Sequence, residues 1–226
     1  MAKRFALVWA LFVTVCIAAS AGDVAQFVNL GFSPDSRYFM FGQYGILEKS
    51  SAAWAGSYIV DVPANAFAPK AVRQFISPRA VEPGASPIGA LLNVLSEGAA
   101  ARKQFHIDHL LSGRILYVLV DGAEAPDSLE FRDFPSGRAY KVTLSQTPAD
   151  AGASFSLAVS VTEKDGVVKT ISGGNPALKR PGVKAYHIKQ IILAPDGSSL
   201  VFLVQKEEQD TTGYNIRYMI ETVRVK

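Results

Sequence analysis

The chain has 226 residues, of which 49% are hydrophobic, with a formal net charge of +3 and a single cysteine, Cys16. This length is sufficient for one domain with its own core, or for two small ones. The basic residues form no cluster interleaved with aromatic residues, and such a cluster is the usual electrostatic signature of nucleic-acid binding. We therefore expect no nucleic-acid partner.

The first 21 residues have the features of a secretory signal peptide. Residues 3–4 form a basic head, residues 5–18 are an uncharged apolar stretch, and residues 19–21 are small. This pattern predicts cleavage between Ala21 and Gly22. The apolar stretch is shorter than the ~20 residues that a membrane-spanning helix needs. We therefore predict a secreted or periplasmic protein without a membrane span after the signal is removed.

Cys16 leaves one alternative open, a lipoprotein acylated at this residue. A lipobox needs a small residue just before its cysteine, whereas this chain has Val15. Removal of residues 1–21 would remove Cys16 and leave no thiol for a disulfide, a nucleophile or a thiolate metal site. It would also remove Lys3 and Arg4 and lower the formal net charge of +3 by two.

One short phrase occurs twice in the sequence. Ser33-Pro34-Asp35-Ser36 and Ala194-Pro195-Asp196-Gly197 each separate two apolar runs. Proline presets φ at the first corner of a turn, and aspartate can bond the backbone ahead of it. The residue after aspartate is expected at positive φ, which glycine adopts freely and Ser36 adopts at some cost. Each copy of the phrase therefore predicts a β-hairpin.

Alternation of apolar and polar residues predicts strands along most of the chain. Around the two copies of the phrase, the predicted strands are 24–33, 37–47 and 57–62, then 185–194, 199–206 and 216–225, with polar loops at 48–56 and 207–213. Between them, a degenerate third hairpin is predicted at 105–111 and 115–120, followed by strands at 128–134, 139–146, 154–163 and 167–172.

One segment departs from the β pattern. Apolar residues recur at helical spacing after Pro87, which predicts a helix over about 86–103 with Ser86 as N-cap. Residues 63–85 contain four prolines and are expected to be a loop. The insertion is interpreted as a spacer packed on the sheet, and a lid or partner-binding element is the alternative.

These elements predict an all-β, mainly antiparallel fold with propeller-like hairpin repeats and one inserted helix. Residues 22–226 would form a single β-rich domain. The alternative architecture is a two-sheet β-sandwich in which the two Pro-Asp hairpins face each other. The repeated phrase favours the propeller-like fold, whereas the small number of repeats favours the sandwich, because closed propellers have at least about four blades.

The hairpin phrase resembles the repeat of TolB-like β-propellers, which are related to the WD-type repeat. The resemblance rests on 33–36, 39–41 and 59–61 in the first copy, and on 194–197 and 200–202 in the last. The resemblance implies a hairpin architecture. It indicates no particular activity, because propellers serve binding, scaffolding and catalysis alike. The whole chain is also similar to a family of bacterial predicted secreted proteins of unassigned function, which implies export.

His106, Asp108 and His109 form the strongest candidate metal site in the sequence. Gln104-Phe105-His106-Ile107-Asp108-His109 resembles the His-x-His-x-Asp-His motif of metallo-β-lactamase-like hydrolases, with Gln104 in place of the first histidine. Imidazole and carboxylate groups suit zinc. Glutamine is a poor zinc ligand, however, and only His187 remains to complete a site. We therefore predict a polar edge strand and no metal or cofactor, and we keep a metal-dependent hydrolase as the alternative function.

No other catalytic constellation is found in the sequence. There is no Gly-x-Ser-x-Gly elbow, and the acidic residues Asp121, Glu124 and Asp127 lack the spacing of a calcium loop. The aromatic residues of 38–44 are expected to lie mostly in the core, with a ligand-stacking platform as the alternative. We therefore expect a non-catalytic binding protein whose partner is an envelope or extracellular protein or peptide.

Overall fold

A computed structural model describes residues 22–147, 152–210 and 213–226. The predicted signal peptide, with Cys16, lies outside the described residues. The strands in these ranges are numbered in chain order and form three antiparallel sheets, none of which closes on itself. The predicted all-β, mainly antiparallel fold class is therefore confirmed.

The first sheet is N-terminal and has five strands in the order β1-β2-β3-β4, with β5 also pairing with β3. Its strands are β1 (Gln26–Phe32), β2 (Tyr38–Ile46), β3 (Ala52–Asp61), β4 (Ala66–Phe67) and β5 (Arg73–Ala80). Two helices follow these strands, α1 (Ile88–Glu97) and α2 (Ala99–Gln104). Ala90, Leu91 and Val94 of α1 pack in one buried cluster with residues of β2 and β3, so α1 lies on the first sheet.

The other two sheets have four strands each. The middle sheet has the order β13-β12-β11-β6, made of β6 (Arg114–Val118), β11 (Val183–Leu193), β12 (Ser199–Asp210) and β13 (Gly213–Arg224). The third sheet has the order β10-β9-β8-β7, made of β7 (Ser128–Asp133), β8 (Arg138–Gln146), β9 (Phe155–Thr162) and β10 (Val168–Gly174). The middle sheet joins one early strand to the last three strands of the chain.

The middle sheet is buried on both faces. Successive side chains of a strand point to opposite faces, and along β12 the residues alternate between two clusters. Phe202 and Val204 pack against the third sheet, whereas Val201 and Leu203 pack against the first. The continuous apolar run of β12 therefore reflects a strand with a sheet on either side. The result is a three-layer sandwich, with one more layer than the two-sheet alternative.

The two Pro-Asp turns contact each other. Ser36 has a φ of 57° and Gly197 a φ of 66°, as the turn chemistry predicts. The backbone N–H of Asp196 donates to Oγ of Ser36 over 3.2 Å. The two copies of the phrase therefore lie side by side, one in the first sheet and one in the middle sheet.

Three local predictions are wrong. The predicted strand 105–111 lies beyond the end of α2, which forms because Ala99–Gln104 consists of good helix formers; only one isolated bridge joins Asp108 to Phe32. The predicted third hairpin therefore retains only β6. The predicted loop 63–85 contains β5, whose Pro78 is tolerated because β5 is an edge strand.

The predicted polar loops are also too long. β3 begins at Ala52, inside the predicted loop 48–56, because its small side chains Ala53 and Ala55 pack under α1. β12 and β13 extend through most of the predicted loop 207–213 and pair as far as Asp210 and Gly213. Polar residues are compatible with strands there, because residues 205–209 belong to none of the buried clusters.

Candidate ligand-binding cleft

The structure does not assemble His106, Asp108 and His109 into a site. Nδ1 of His109 donates to the carbonyl oxygen of Leu30 over 2.6 Å, and the carboxylate of Asp108 accepts the N–H of Leu110 over 2.9 Å. His106 has a φ of 51° and is exposed. These residues form a turn beyond α2 in which two of the three side chains bond to backbone groups.

The remaining candidate ligands lie elsewhere. Nε2 of His187 lies 3.1 Å from Oε1 of Glu207, and Asp121 pairs with Lys189. Across residues 22–147, 152–210 and 213–226, no group of three or more His, Cys, Asp and Glu side chains is placed to hold a metal ion. The geometry therefore gives the hydrolase alternative no support.

A cleft of about 520 Å³ lies where edges of the three sheets meet. The first sheet contributes β4, the middle sheet contributes β13 and the third sheet contributes the end of β10, and each of these is an edge strand. The volume lies within the ~300–1,000 Å³ that is typical of ligand pockets. The lining combines aromatic rings, side-chain amides and charged groups.

Three stacked rings form one wall of the cleft. Phe41 and Tyr58 stand opposite each other on β2 and β3, with ring centroids 4.8 Å apart, and Phe67 on β4 follows 5.5 Å from Tyr58. Cross-strand neighbours on one face of a sheet make such contacts. Phe41 is 1% exposed, whereas Phe67 is 54% exposed. The row of rings therefore begins in the core and ends at the surface, where a ligand can stack.

Glu221 on β13 links all three sheets. Its carboxylate oxygen Oε1 accepts the backbone N–H of Gly174 at the end of β10, over 2.7 Å, and it also accepts Nδ2 of Asn65 from the turn before β4. Glu221 is only 6% exposed. A buried carboxylate is tolerated when it accepts strong hydrogen bonds. Glu221 therefore fixes the relative positions of the three edges that form the cleft.

Two side-chain amides cover the edge of β13 inside the cleft. Gln43 pairs with both backbone groups of Tyr218: Oε1 accepts the N–H over 2.9 Å and Nε2 donates to the carbonyl over 3.2 Å. Oδ1 of Asn65 accepts the N–H of Thr222 over 2.9 Å. Burial raises the pKa of the Tyr218 phenol above its ordinary value. These amides take the place of a neighbouring strand at two positions of the edge.

Two cations contribute to the cleft lining in different ways. Nζ of Lys206 is 2.6 Å from Oε1 of Glu208, so Lys206 is paired with a carboxylate. The guanidinium of Arg180 lies over the rings of Phe155 and Tyr186, 5.7 and 5.8 Å from their centroids. Among the carboxylates that the structure describes, none forms an ion pair with Arg180.

A second compartment of about 340 Å³ adjoins the cleft. The two share the side chains of Gln43, Tyr58 and Lys206, so they form one groove between the first and middle sheets. At its far end the guanidinium of Arg217 lies 4.3 Å from the ring centroid of Trp54. The same arginine also pairs with Asp23 over 3.0 Å.

The sequence identified few of these residues. Phe41 belongs to the aromatic segment for which a stacking platform was the alternative interpretation. Asn65, Arg180 and Glu221 carry no local motif, because they lie far apart in the chain and meet only after the sheets have packed. The prolines of residues 63–85 predict a loop around Asn65, but they give no indication of its function.

The fold and the cleft define a class: an all-β protein of three open sheets with a groove along their aligned edges. Residues 40–224 match the family described as "Predicted secreted protein (DUF2259)", and the chain belongs to this family. All residues that line the main cleft fall inside the match. No match is found among curated proteins or solved structures.

The family description agrees with the export predicted from the sequence. None of the helices described in the three ranges combines the length and apolar character that crossing a membrane requires.

Proposed function

We propose that this secreted protein is a non-catalytic binding protein and that the cleft between the three sheets is its ligand site. The observation that carries the proposal is the row of stacked rings that runs from buried Phe41 to exposed Phe67. The ring of Phe67 is exposed beside a cavity large enough for a ligand. Exposed aromatic rings of this kind are characteristic of binding surfaces.

The surroundings of the cleft also support binding. Glu221 fixes the three edges by hydrogen bonds to Gly174 and Asn65, so the site is formed before a ligand arrives. A preformed site loses less conformational entropy on binding. The expected ligand is a peptide or a segment of an envelope or extracellular protein.

The proposal is tested with a synthetic pool of hexapeptides, incubated with purified protein and analysed by mass spectrometry of the retained fraction. The wild-type protein should retain a subset of the pool. Phe67→Ala should reduce that retention at least about fivefold, because truncating an aromatic contact residue costs on the order of 1 kcal/mol or more.

Phe134→Ala is the matched control, because Phe134 is 84% exposed and does not line the cleft. This variant should retain peptides like the wild type. Equal retention by the wild type and Phe67→Ala would contradict the assignment of the site.

We also propose that the two Pro-Asp hairpins are TolB-like repeat units that pack face to face as propeller blades do. Both turns have a residue at positive φ after aspartate, and the turns contact each other through Ser36 and Asp196. In such a stack of units, the groove would lie along the outer edges of the blades.

A further inference from the structure

Along the outer edge of β13, every second residue directs its backbone N–H and C=O away from β12. In an antiparallel pair, residues alternate between those bonded to the neighbouring strand and those whose N–H and C=O point away from it. The N–H of Ile216 donates to the carbonyl of Asp23 over 2.7 Å, and the bonds of Tyr218 to Gln43 and of Thr222 to Asn65 also point away from β12. The outward positions are therefore the even-numbered residues from 216 to 222.

Among the even-numbered residues from 216 to 222, Ile220 is the one whose outward N–H and C=O have no cover from the described residues. Within the described ranges, no side chain or backbone group bonds to its outward N–H and C=O. Ile220 lies on the lining of the cleft, between the positions covered by Gln43 and Asn65. The edge thus presents one donor and one acceptor to an entering chain, with the spacing of a β-strand residue.

The surroundings of Ile220 suit an extended peptide. The ring of Tyr58 and the exposed ring of Phe67 lie on the side of the first sheet. Leu178, which is 49% exposed, and Arg180 lie on the side of the third sheet. Because successive side chains of an extended peptide point to opposite sides, one would meet the rings and the next would approach the third sheet.

Arg180 adds a charge preference. Its guanidinium is held over Phe155 and Tyr186 and donates one N–H to the Tyr186 hydroxyl over 3.4 Å. The remaining N–H groups have the fork geometry that binds a carboxylate with two parallel hydrogen bonds. The other cation in the lining, Lys206, is already paired with Glu208. The free positive charge therefore lies on the side of the third sheet.

We propose that the cleft binds an extended peptide that pairs with β13 through the N–H and C=O of Ile220 and places a carboxylate on Arg180. The proposal rests on the proposed binding function and specifies its ligand. Main-chain pairing supplies affinity without regard to sequence, as in other cases of strand addition to a sheet edge. The rings and Arg180 supply the selection for an apolar residue near a carboxylate.

The experiment uses four pools of acetylated hexapeptides and the wild-type protein. The pools combine a free or amidated C-terminus with the presence or absence of Asp and Glu, so they distinguish a terminal carboxylate from an acidic side chain. Pools with either kind of carboxylate should be retained at least about tenfold better than the amidated pool without acidic residues, as for a charge-assisted hydrogen bond. Retention that is equal in all four pools would overturn the role of Arg180.

Two follow-up measurements use the best-retained peptide. Methylation of each backbone nitrogen in turn should reduce binding about tenfold or more at the one position that donates to the carbonyl of Ile220, and less at its neighbours. A uniform response along the peptide would overturn the pairing with β13. Arg180→Gln should abolish the preference for carboxylates and Arg180→Lys should weaken it, with retention of the uncharged pool as the control for folding.

The outcomes separate this proposal from the proposed function. If peptides are retained and Phe67→Ala releases them, but methylation and charge have no effect, the binding function stands and the recognition mode is wrong. If no pool is retained by the wild type, both are wrong.

Discussion

Replacing Glu221 tests whether one carboxylate fixes the three sheet edges. Glu221→Ala removes the acceptor for the N–H of Gly174 and for Nδ2 of Asn65. Each hydrogen bond to a charged group contributes about 1.5–3 kcal/mol. Because the cleft admits water, part of this loss is recovered by solvation. We expect the free energy of unfolding to fall by about 2–4 kcal/mol.

Glu221→Gln should be much milder. Its amide oxygen can accept the same two donors, so only the contribution of the charge is lost, and the expected decrease is about 1 kcal/mol. Both values come from urea denaturation followed by circular dichroism, with the denaturant slope compared between variants to check that unfolding stays cooperative.

Glu130→Ala is the matched surface control. Glu130 pairs with Lys141, but the two side chains are 70% and 60% exposed, so no measurable change is expected. A Glu221→Ala variant as stable as Glu130→Ala would refute the conclusion that Glu221 holds the three edges together.

Three further predictions concern the two Pro-Asp turns and the irregular end of β1. Gly197→Ala should cost about 1 kcal/mol of stability because alanine is strained at a φ of 66°, although there is space for its methyl group. Gly31→Ala should cost about 3 kcal/mol or more in the same urea assay, because its Cβ would lie 2.1 Å from the carbonyl oxygen of Asp108; equal costs would contradict this. The hydroxyl of Ser33 donates to Asp35 and lowers the pKa of that carboxyl. The stabilisation that the Asp35 carboxylate contributes is therefore present above the unfolded pKa of Asp35 and is lost as the pH falls through its folded pKa. The stability difference between the wild type and Asp35→Asn should remain constant between about pH 5 and 7 and shrink below about pH 4.

The β-hairpins could be predicted because their signals are local. Pro34-Asp35 and Pro195-Asp196 indicate turns directly, and alternation around them indicates strands. The failures occurred where tertiary packing outweighs local composition. β5 carries a proline that is tolerated at its edge position, and the segment 105–111 that the sequence predicts as a strand follows the end of α2 without forming one.

The third layer could not be predicted from periodicity. β6 does not pair with a strand next to it in the chain. It pairs with β11, which lies more than sixty residues later. The first half of β12 is continuously apolar, as expected for a strand between two sheets. The same pattern is also compatible with a buried strand in a different arrangement of sheets. Only the packing of both faces distinguishes these cases, and that packing depends on residues scattered from Phe32 to Val225.

The cleft follows from this layering. In this stack of three open sheets, the edge strand β13 of the middle sheet pairs with β12 on one side only, and its outer side lies between the edges of the two outer sheets. An uncovered edge of this kind promotes association with other chains unless it is blocked. Here the segment at Asp23 and the amides of Gln43 and Asn65 block three outward positions of β13. Among the described residues, no group covers the fourth position, at Ile220, and this is where the proposed extended peptide would pair with the edge.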